Sequence, residues 1–327
     1  MTLDEIRTYL ADDWIATDKL LRSSLESDIG LLNATNAAIL SHGGKQIRPL
    51  ISLLLARACS GGRTTEDSIR FAAASELLHN ATLLHDDVAD GSKERRGMPT
   101  VMSLLGGPAS VLIGDYWLVK AMENILASPA YGEEVIRIFA KTLSDLAEGE
   151  MLQLQKASSG DTDEDDYFRI IYSKTASLFE AAGVSAAISV GASEKMLEAA
   201  RDYCVSLGIA FQIKDDILDY SGDERLGKPV GVDLDEQKIT LPLLCALKDV
   251  DEAEAASIRK QVAGIIDSPE LKSGIRDFVF KHCGDVYASS RLDEYVGKAV
   301  RALDVFPESK EKDYLVSIAV FTAKRDR

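Results

Sequence analysis

Apolar residues recur at i, i+3, i+4 and i+7 through nearly every long segment of the chain. That spacing is the mark of helices that bury one face. It is clearest over Ile51 to Ala58, Ile69 to Leu84, Ala109 to Leu126, Val135 to Leu154, Phe168 to Val190 and Met196 to Leu218. Pro49 and Pro108 fall near expected helix starts, where a missing N–H costs little. No stretch alternates strictly enough to demand a sheet. Aromatics make up only 6% of residues while Ala and Leu abound, which suits packed helices. The fold is expected to be all-α.

The chain has 327 residues, 46% of them hydrophobic, enough for a large core, and no Pro/Gly/Ser-rich linker divides it. A single domain over 1–327 is expected. Residues 158–166, SSGDTDEDD, read as a solvated acidic loop, and 249–312 as charged helix. The net charge of -16 argues against nucleic acid or an anionic membrane as the main partner. Cys59, Cys204, Cys245 and Cys283 show no CxxC or metal spacing, as in a reducing compartment. The start, MTLDEIRTYLADDW, lacks an apolar signal core, and no run approaches roughly 18 apolar residues. A cytoplasmic chain without stable membrane insertion is expected.

Two acidic motifs of one form stand out. Asp86-Asp87-Val88-Ala89-Asp90 ends the apolar run ATLLH, and Asp215-Asp216-Ile217-Leu218-Asp219 ends SLGIAFQIK. On a helix the first and last aspartates are i and i+4 and share a face. Carboxylates so placed repel one another unless a cation lies between them. Mg²⁺ takes oxygen ligands, commonly one or two carboxylates plus substrate phosphates. A solvated acidic helix end explains one such motif as well; the repetition favours metal. Basic residues flank both motifs: Lys45 and Arg48 in GGKQIRP, Arg95 and Arg96 in RRGMPT, Lys174 in a largely apolar helix, and Lys228 and Lys238. Taken singly, each reads as a surface ion pair; beside the acidic motifs they suit a diphosphate. No convincing catalytic triad appears. His85, Tyr116 and Trp117 read mainly as packing residues, and His42 and His282 as surface ones.

In order, GGKQIRP, LLHNATLLHDDVAD, RRGMPT, GDYW, LAEGEMLQL, YSKTASLF, FQIKDDILD and GKPVGVDLDEQKITLPLL span about Gly43 to Leu244. This series resembles the signatures of the trans-isoprenyl (polyprenyl) diphosphate synthases, nearest to their long-chain octaprenyl type. The resemblance implies a helical bundle around a deep central cavity, the isoprenoid synthase type, and a homodimer. It implies condensation of isopentenyl diphosphate with an allylic diphosphate, using about three Mg²⁺ ions. Asp86, Asp90 and Asp215 would bind the metal, with Asp219 joining them or acting through water alongside Asp87 and Asp216. Arg95, Lys174, Thr175, Gln212, Lys228 and Lys238 would hold the allylic diphosphate. Lys45, Arg48, His79, Arg96 and the C-terminal Arg325 and Arg327 would hold isopentenyl diphosphate. Two positions depart from the family pattern: Gln46 stands where Arg is common, and Gln237 where Gly is common.

Product length is read from the helix that carries Asp86, whose wall presents Thr82, Ala81 and Leu78 toward its N-terminus. Position 81 resembles the place where short-chain synthases put a bulky floor, and here it is Ala. Phe139 lies about 16 Å from Glu150 along the next wall, at ~1.5 Å per residue. It is taken as the floor of a tunnel for an octaprenyl-like product, with ordinary core packing as the other reading. A farnesyl or geranylgeranyl diphosphate synthase, a terpene cyclase, a non-catalytic subunit of a heteromeric synthase and an acidic ion-binding scaffold remain as alternatives.

Overall fold

The computed structural model describes residues 2–95, 97–221 and 231–325. By their contacts the residues group into two compact units, each assembled from separated stretches of sequence. The first comprises Met1–Ala140, Ala181–Arg201 and Val305–Leu315; the second comprises Lys141–Glu180, Asp202–Asp304 and Val316–Arg327.

The first unit contains α1 (Leu3–Leu10), α2 (Asp12–Ser24), α3 (Gly30–Ser41), α4 (Ile47–Ser60), α5 (Glu66–Ala89), α6 (Val101–Leu105) and α7 (Gly107–Leu126). It also holds the start of α8 (Gly132–Ser159). Helix α5 is buried along most of its length, because its sequence is small and apolar on every side: Phe71, Ala72, Ala73, Ala74, Leu77 and Leu78 are all buried. Thr65 and Ser68 close its N-terminus with a reciprocal capping box, and Ser68 is also hydrogen-bonded to Ser189 at 2.6 Å. Helix α7 packs along α5. Ser110 Oγ donates to the Leu84 carbonyl at 2.8 Å. At Gly114 an added Cβ would lie 2.4 Å from His85 Nε2. Trp117 is fully buried and donates from Nε1 to Asn36 Oδ1 at 2.8 Å, so it packs as expected. The described strands, β1 (Glu94–Arg95) and β2 (Met98–Pro99), form a two-residue antiparallel hairpin after the first acidic motif.

The second unit takes the rest of α8, α9 (Glu164–Ile171), a π-helical turn (Tyr172–Ala176), the start of α10 (Ser177–Ser189) and α11 (Glu194–Ser221) from Asp202 onward. It continues through α12 (Val232–Asp235), α13 (Leu241–Leu247), α14 (Glu252–Ala263), α15 (Leu271–Lys281) and α16 (Gly284–Ala302) to the end of α17 (Lys310–Lys324). Ile171, Ile213, Tyr220, Leu234, Leu243 and Val279 belong to its core. His282 is half-buried rather than surface-lying: its ring lies 4.6 Å from that of Phe278 and its Nδ1 2.9 Å from Asp249. The acidic stretch 158–166 is loop only in part. Helix α8 runs to Ser159, and Asp163 caps α9, placing Glu164, Asp165 and Asp166 in a first turn where the helix dipole favours them.

The helix expected over Phe168 to Val190 is interrupted by the π-turn. Residues around it are buried on nearly every side, Ile170, Ile171, Ala176, Leu178, Phe179 and Ala181 among them, so no single apolar face records the shift in phase and the sequence hides it. The packing does not. An added Cβ at Gly149 of α8 would lie 2.6 Å from Ser173 Cβ, and one at Gly208 of α11 would lie 2.5 Å from Ala176 Cα. Gly inside a helix costs about 1 kcal/mol relative to Ala. At Gly208 that cost admits the backbone of the π-turn, which carries Lys174 and Thr175. Gly208→Ala should therefore destabilise the protein by about 1–3 kcal/mol despite its better helix propensity. Gly114→Ala, which meets a side chain that can rotate, should cost less. Urea denaturation of the two variants checks the order; a stabilised Gly208→Ala would contradict this packing.

Candidate active site

In the first unit the motif Asp86 to Asp90 occupies the C-terminal end of α5, with Asp90 as its C-cap. Asp86 is half-buried and Asp90 exposed. Asp87 faces inward, buried, and accepts from Arg95 Nε at 2.8 Å. Arg95, expected on the allylic diphosphate, thus has a fixed carboxylate partner that orients it. His85 Nε2 lies 3.2 Å from Asp115 Oδ1, within ion-pair reach but not aligned as a hydrogen bond. Lys45 and Arg48 sit before and within the first turn of α4, both half-buried; the Lys45 carbonyl accepts from Arg7 Nη2 at 2.7 Å. His79 is half-buried on α5. Leu78 and Ala81 are buried, Thr82 is half-buried, and Phe139 on α8 is fully buried. Arg96, Lys228 and Arg327 lie outside the described residues.

In the second unit the aspartates near the end of α11 have three different environments. Asp215 is half-exposed and paired with Arg325 at 2.8 Å. Asp216 is buried between Tyr167, which donates from its hydroxyl to Oδ2 at 2.6 Å, and Gln212, which donates from Nε2 to Oδ1 at 2.8 Å. Asp219 accepts from the backbone amides of Val232 and Asp233 at 3.0 and 3.1 Å, holding the start of α12. Burial is the first cause that raises the Asp216 pKa to about 7; its two hydrogen bonds oppose this, and the charges of Asp215 and Asp219 add to it. Burial likewise raises Asp219, against the pull of the amides it accepts from, and raises Asp233 well above the carboxylate range with help from Asp216 and Asp219.

Lys174, Gln212 and Lys238 line a cavity of about 150 Å³ with Gln153, Asp216 and Asp233. Thr175 Oγ1 donates to Gln212 Oε1 at 2.9 Å. Lys174 pairs with Glu150 and donates to Gln153 Oε1 at 3.1 Å. Lys238 pairs with Glu236. Four of the residues expected at the allylic diphosphate thus stand together on the π-turn, α11 and the segment after α12. Tyr167, Glu150, Gln153 and Asp233 belong to this group and were missed by sequence reasoning. The one signal for Tyr167 was its place seven residues before Lys174, two helical turns back on the same face.

The donor set suits a hard divalent cation. Both motifs offer only carboxylate oxygens, at the ends of helices whose last turns carry no basic residue. The C-terminal end of a helix is its negative end, so a cation is doubly favoured there. Among the described residues no three acidic, His or Cys side chains form a ready-made cage. Mg²⁺ needs none when phosphate oxygens complete its shell.

An all-α chain bearing two such carboxylate ends, each with an arginine paired to it, carries the kind of donors that suit a metal with phosphate oxygens. Comparison with known proteins agrees. The polyprenyl synthetase family profile matches residues 30–272. The octaprenyl diphosphate synthase of Haemophilus influenzae is 39% identical over 327 residues, covering 100% of this chain and 98% of that protein. That of Escherichia coli is 37% identical over 329 residues, covering 100% of both. A polyprenyl synthase from Caulobacter crescentus, solved with calcium and isoprenyl diphosphate, superposes with a TM-score of 0.90 at 33% identity over 100% of this chain and 98% of that one. A decaprenyl diphosphate synthase from Rhodobacter capsulatus gives 0.90 at 34% identity over 100% of both. The chain belongs to the polyprenyl synthetase family.

Tyr167 is the buried donor to Asp216, and its removal leaves an acceptor without that partner. Tyr167→Phe should lower stability by about 1–3 kcal/mol in urea denaturation. A loss below about 0.5 kcal/mol would mean that the bond contributes little net.

Proposed function

We infer that this chain is a long-chain trans-prenyltransferase. It condenses isopentenyl diphosphate with an allylic diphosphate to give an all-trans product of the octaprenyl class. The observation that carries this reading is the full-length likeness to octaprenyl diphosphate synthases at 37–39% identity. Residues 1–327 act as one catalytic domain in this reading; the family match draws on stretches of both compact units.

Asp86, Asp90 and Asp215 hold Mg²⁺, about three ions in all, with Asp219 acting directly or through water. Bound Mg²⁺ would offset the negative charge that gathers on the allylic diphosphate as it leaves. Arg95, Lys174, Thr175, Gln212 and Lys238 hold that diphosphate, as does Lys228. Their N–H and O–H groups strengthen their hold as the C–O bond breaks and its electron pair passes to oxygen. Glu150 and Gln153 keep Lys174 aimed. Lys45, Arg48, His79, Arg96, Arg325 and Arg327 hold isopentenyl diphosphate, whose double bond supplies the pair for the new C–C bond to the allylic carbon. The released diphosphate takes the proton. Exclusion of water protects the allylic carbocation left by that cleavage until the new C–C bond forms.

A homodimer is part of this reading. Leu112, Val119 and Leu126 stand exposed at seven-residue spacing on α7, Leu112 to 69%. Such a stripe suits a second copy of the same helix. No described helix is long and apolar enough to cross a membrane, and all four cysteines are free thiols, in keeping with a cytoplasmic enzyme.

Product length rests on Ala81, with Leu78, Thr82 and Phe139 as further walls. Given farnesyl diphosphate and isopentenyl diphosphate, the wild type should make an octaprenyl-length product by chromatography. Ala81→Phe should stop at about C15–C20, if each helical turn of about 5.4 Å admits one isoprene unit. Phe139→Ala should lengthen the product. A wild type that stopped at about twenty carbons, or an Ala81→Phe variant with unchanged products, would overturn the assignment of length.

A further inference from the structure

The three carboxylates of the second motif are held in unlike ways. Asp216 is fixed by Tyr167 and Gln212, and Asp219 by the amides that open α12. Asp215 is paired instead with a cationic side chain close to the end of the chain. Arg325 follows α17 directly, and its N–H continues the last turn onto the Phe321 carbonyl at 3.0 Å. Its guanidinium lies on one stripe of α11. Phe211 and Asp215 are i and i+4 and share a face. The Arg325 Cζ stands 3.8 Å from the centre of the Phe211 ring, and Nη2 reaches both the Phe211 carbonyl and Asp215 Oδ1 at 2.8 Å.

This seat is well covered but incompletely satisfied. The Arg325 side chain is only 6% exposed, while that of Asp215 is 42% exposed. A cation from solvent therefore has access to the carboxylate without first opening the core. Arg325 Nε is buried and has no hydrogen-bond partner among the described residues. A buried donor left without a partner is costly, so the seat holds the guanidinium less firmly than its burial suggests. The ring and the carbonyl would accept any cationic side chain of this shape, but Asp215 is the element that attracts a divalent ion as well.

We propose that Arg325 and a divalent cation compete for Asp215. The inference rests on the reading of Asp215 as a metal ligand. Arg325 neutralises the carboxylate until metal with a diphosphate takes it; the guanidinium is then released and available to a second diphosphate. The arrangement imposes an order. An anion that needs Arg325 is bound after the metal-bearing diphosphate, because the guanidinium seated on Asp215 is only 6% exposed and is not open to that anion. It also accounts for a side chain expected on a substrate being found on a carboxylate.

The test is calorimetric titration of Mg²⁺ in the presence of inorganic diphosphate, on the full chain. Arg325→Gln removes the competitor and should tighten Mg²⁺ binding about fivefold, the effect of losing one partly exposed ion pair. Arg325→Lys keeps the charge and should stay near the wild-type value. Both variants lose the planar stack on Phe211, so their difference reports chiefly the charge. In the wild type, Mg²⁺ with inorganic diphosphate should also speed hydrogen exchange in the last turn before Arg325. Asp215→Asn separates the two claims: if it leaves Mg²⁺ binding intact, the metal assignment itself fails. If it weakens Mg²⁺ binding while Arg325→Gln leaves it unchanged or weaker, or if exchange in the wild-type tail does not rise, the competition is overturned and the metal site stands.

Discussion

Negative charge gathered at the negative ends of helices is the constraint on which the rest of this structure depends. Helix α5 ends in Asp86, Asp87 and Asp90, and α11 carries Asp215, Asp216 and Asp219 in its last two turns, with no basic residue in the final turn of either. A carboxylate at a helix C-terminus is unfavourable by about 0.3–1 kcal/mol, and neighbouring carboxylates add to that. The protein offsets several of these charges with fixed donors. Arg95 meets Asp87, Tyr167 and Gln212 meet Asp216, and backbone amides meet Asp219. Burial still leaves Asp216 and Asp233 reluctant to ionise. Such sites are stabilised by cations, and an enzyme that handles diphosphates brings cations with its substrate.

Rigid surroundings give that charge its use. The π-turn carrying Lys174 and Thr175 is held by Gly149 on one side and Gly208 on the other, at separations that exclude a methyl group. Glu150 and Gln153, on the same helix as Gly149, then fix the lysine head. One surface of α8 thus sets both the backbone position and the side-chain direction of a proposed diphosphate ligand. Placement of this kind lets a lysine meet developing charge without reorganising as the bond breaks.

Much of this was legible in the sequence, for identifiable reasons. Helical periodicity is strong when one face is buried, and it located α4, α5, α7, α8 and α11. The aspartate pairs were visible because i, i+4 spacing needs no tertiary information. The π-turn was not visible, because the residues on both sides of it are buried all round and leave no single apolar stripe to show a shift in phase. Glu150 and Gln153 were missed because a contact between helices leaves no mark in either one, and Tyr167 because its spacing from Lys174 alone does not point to Asp216. The departure at Gln237 now has a local reason: its φ is +56°, a conformation that favours Gly, and its side chain donates to the Ala263 carbonyl at 2.6 Å. The pairing of Arg325 with Asp215 joins residues 110 positions apart, beyond any local pattern.

If crowded carboxylates are the organising feature, a divalent cation with diphosphate should stabilise the folded chain through them. The most direct measurement is thermal unfolding of the wild type and of Asp86→Asn, each with and without Mg²⁺ and inorganic diphosphate. The wild type should gain several degrees from the pair together, as binding to the native state alone requires. Asp86→Asn should lose most of that gain. Equal gains in both proteins, or none in the wild type, would contradict the account.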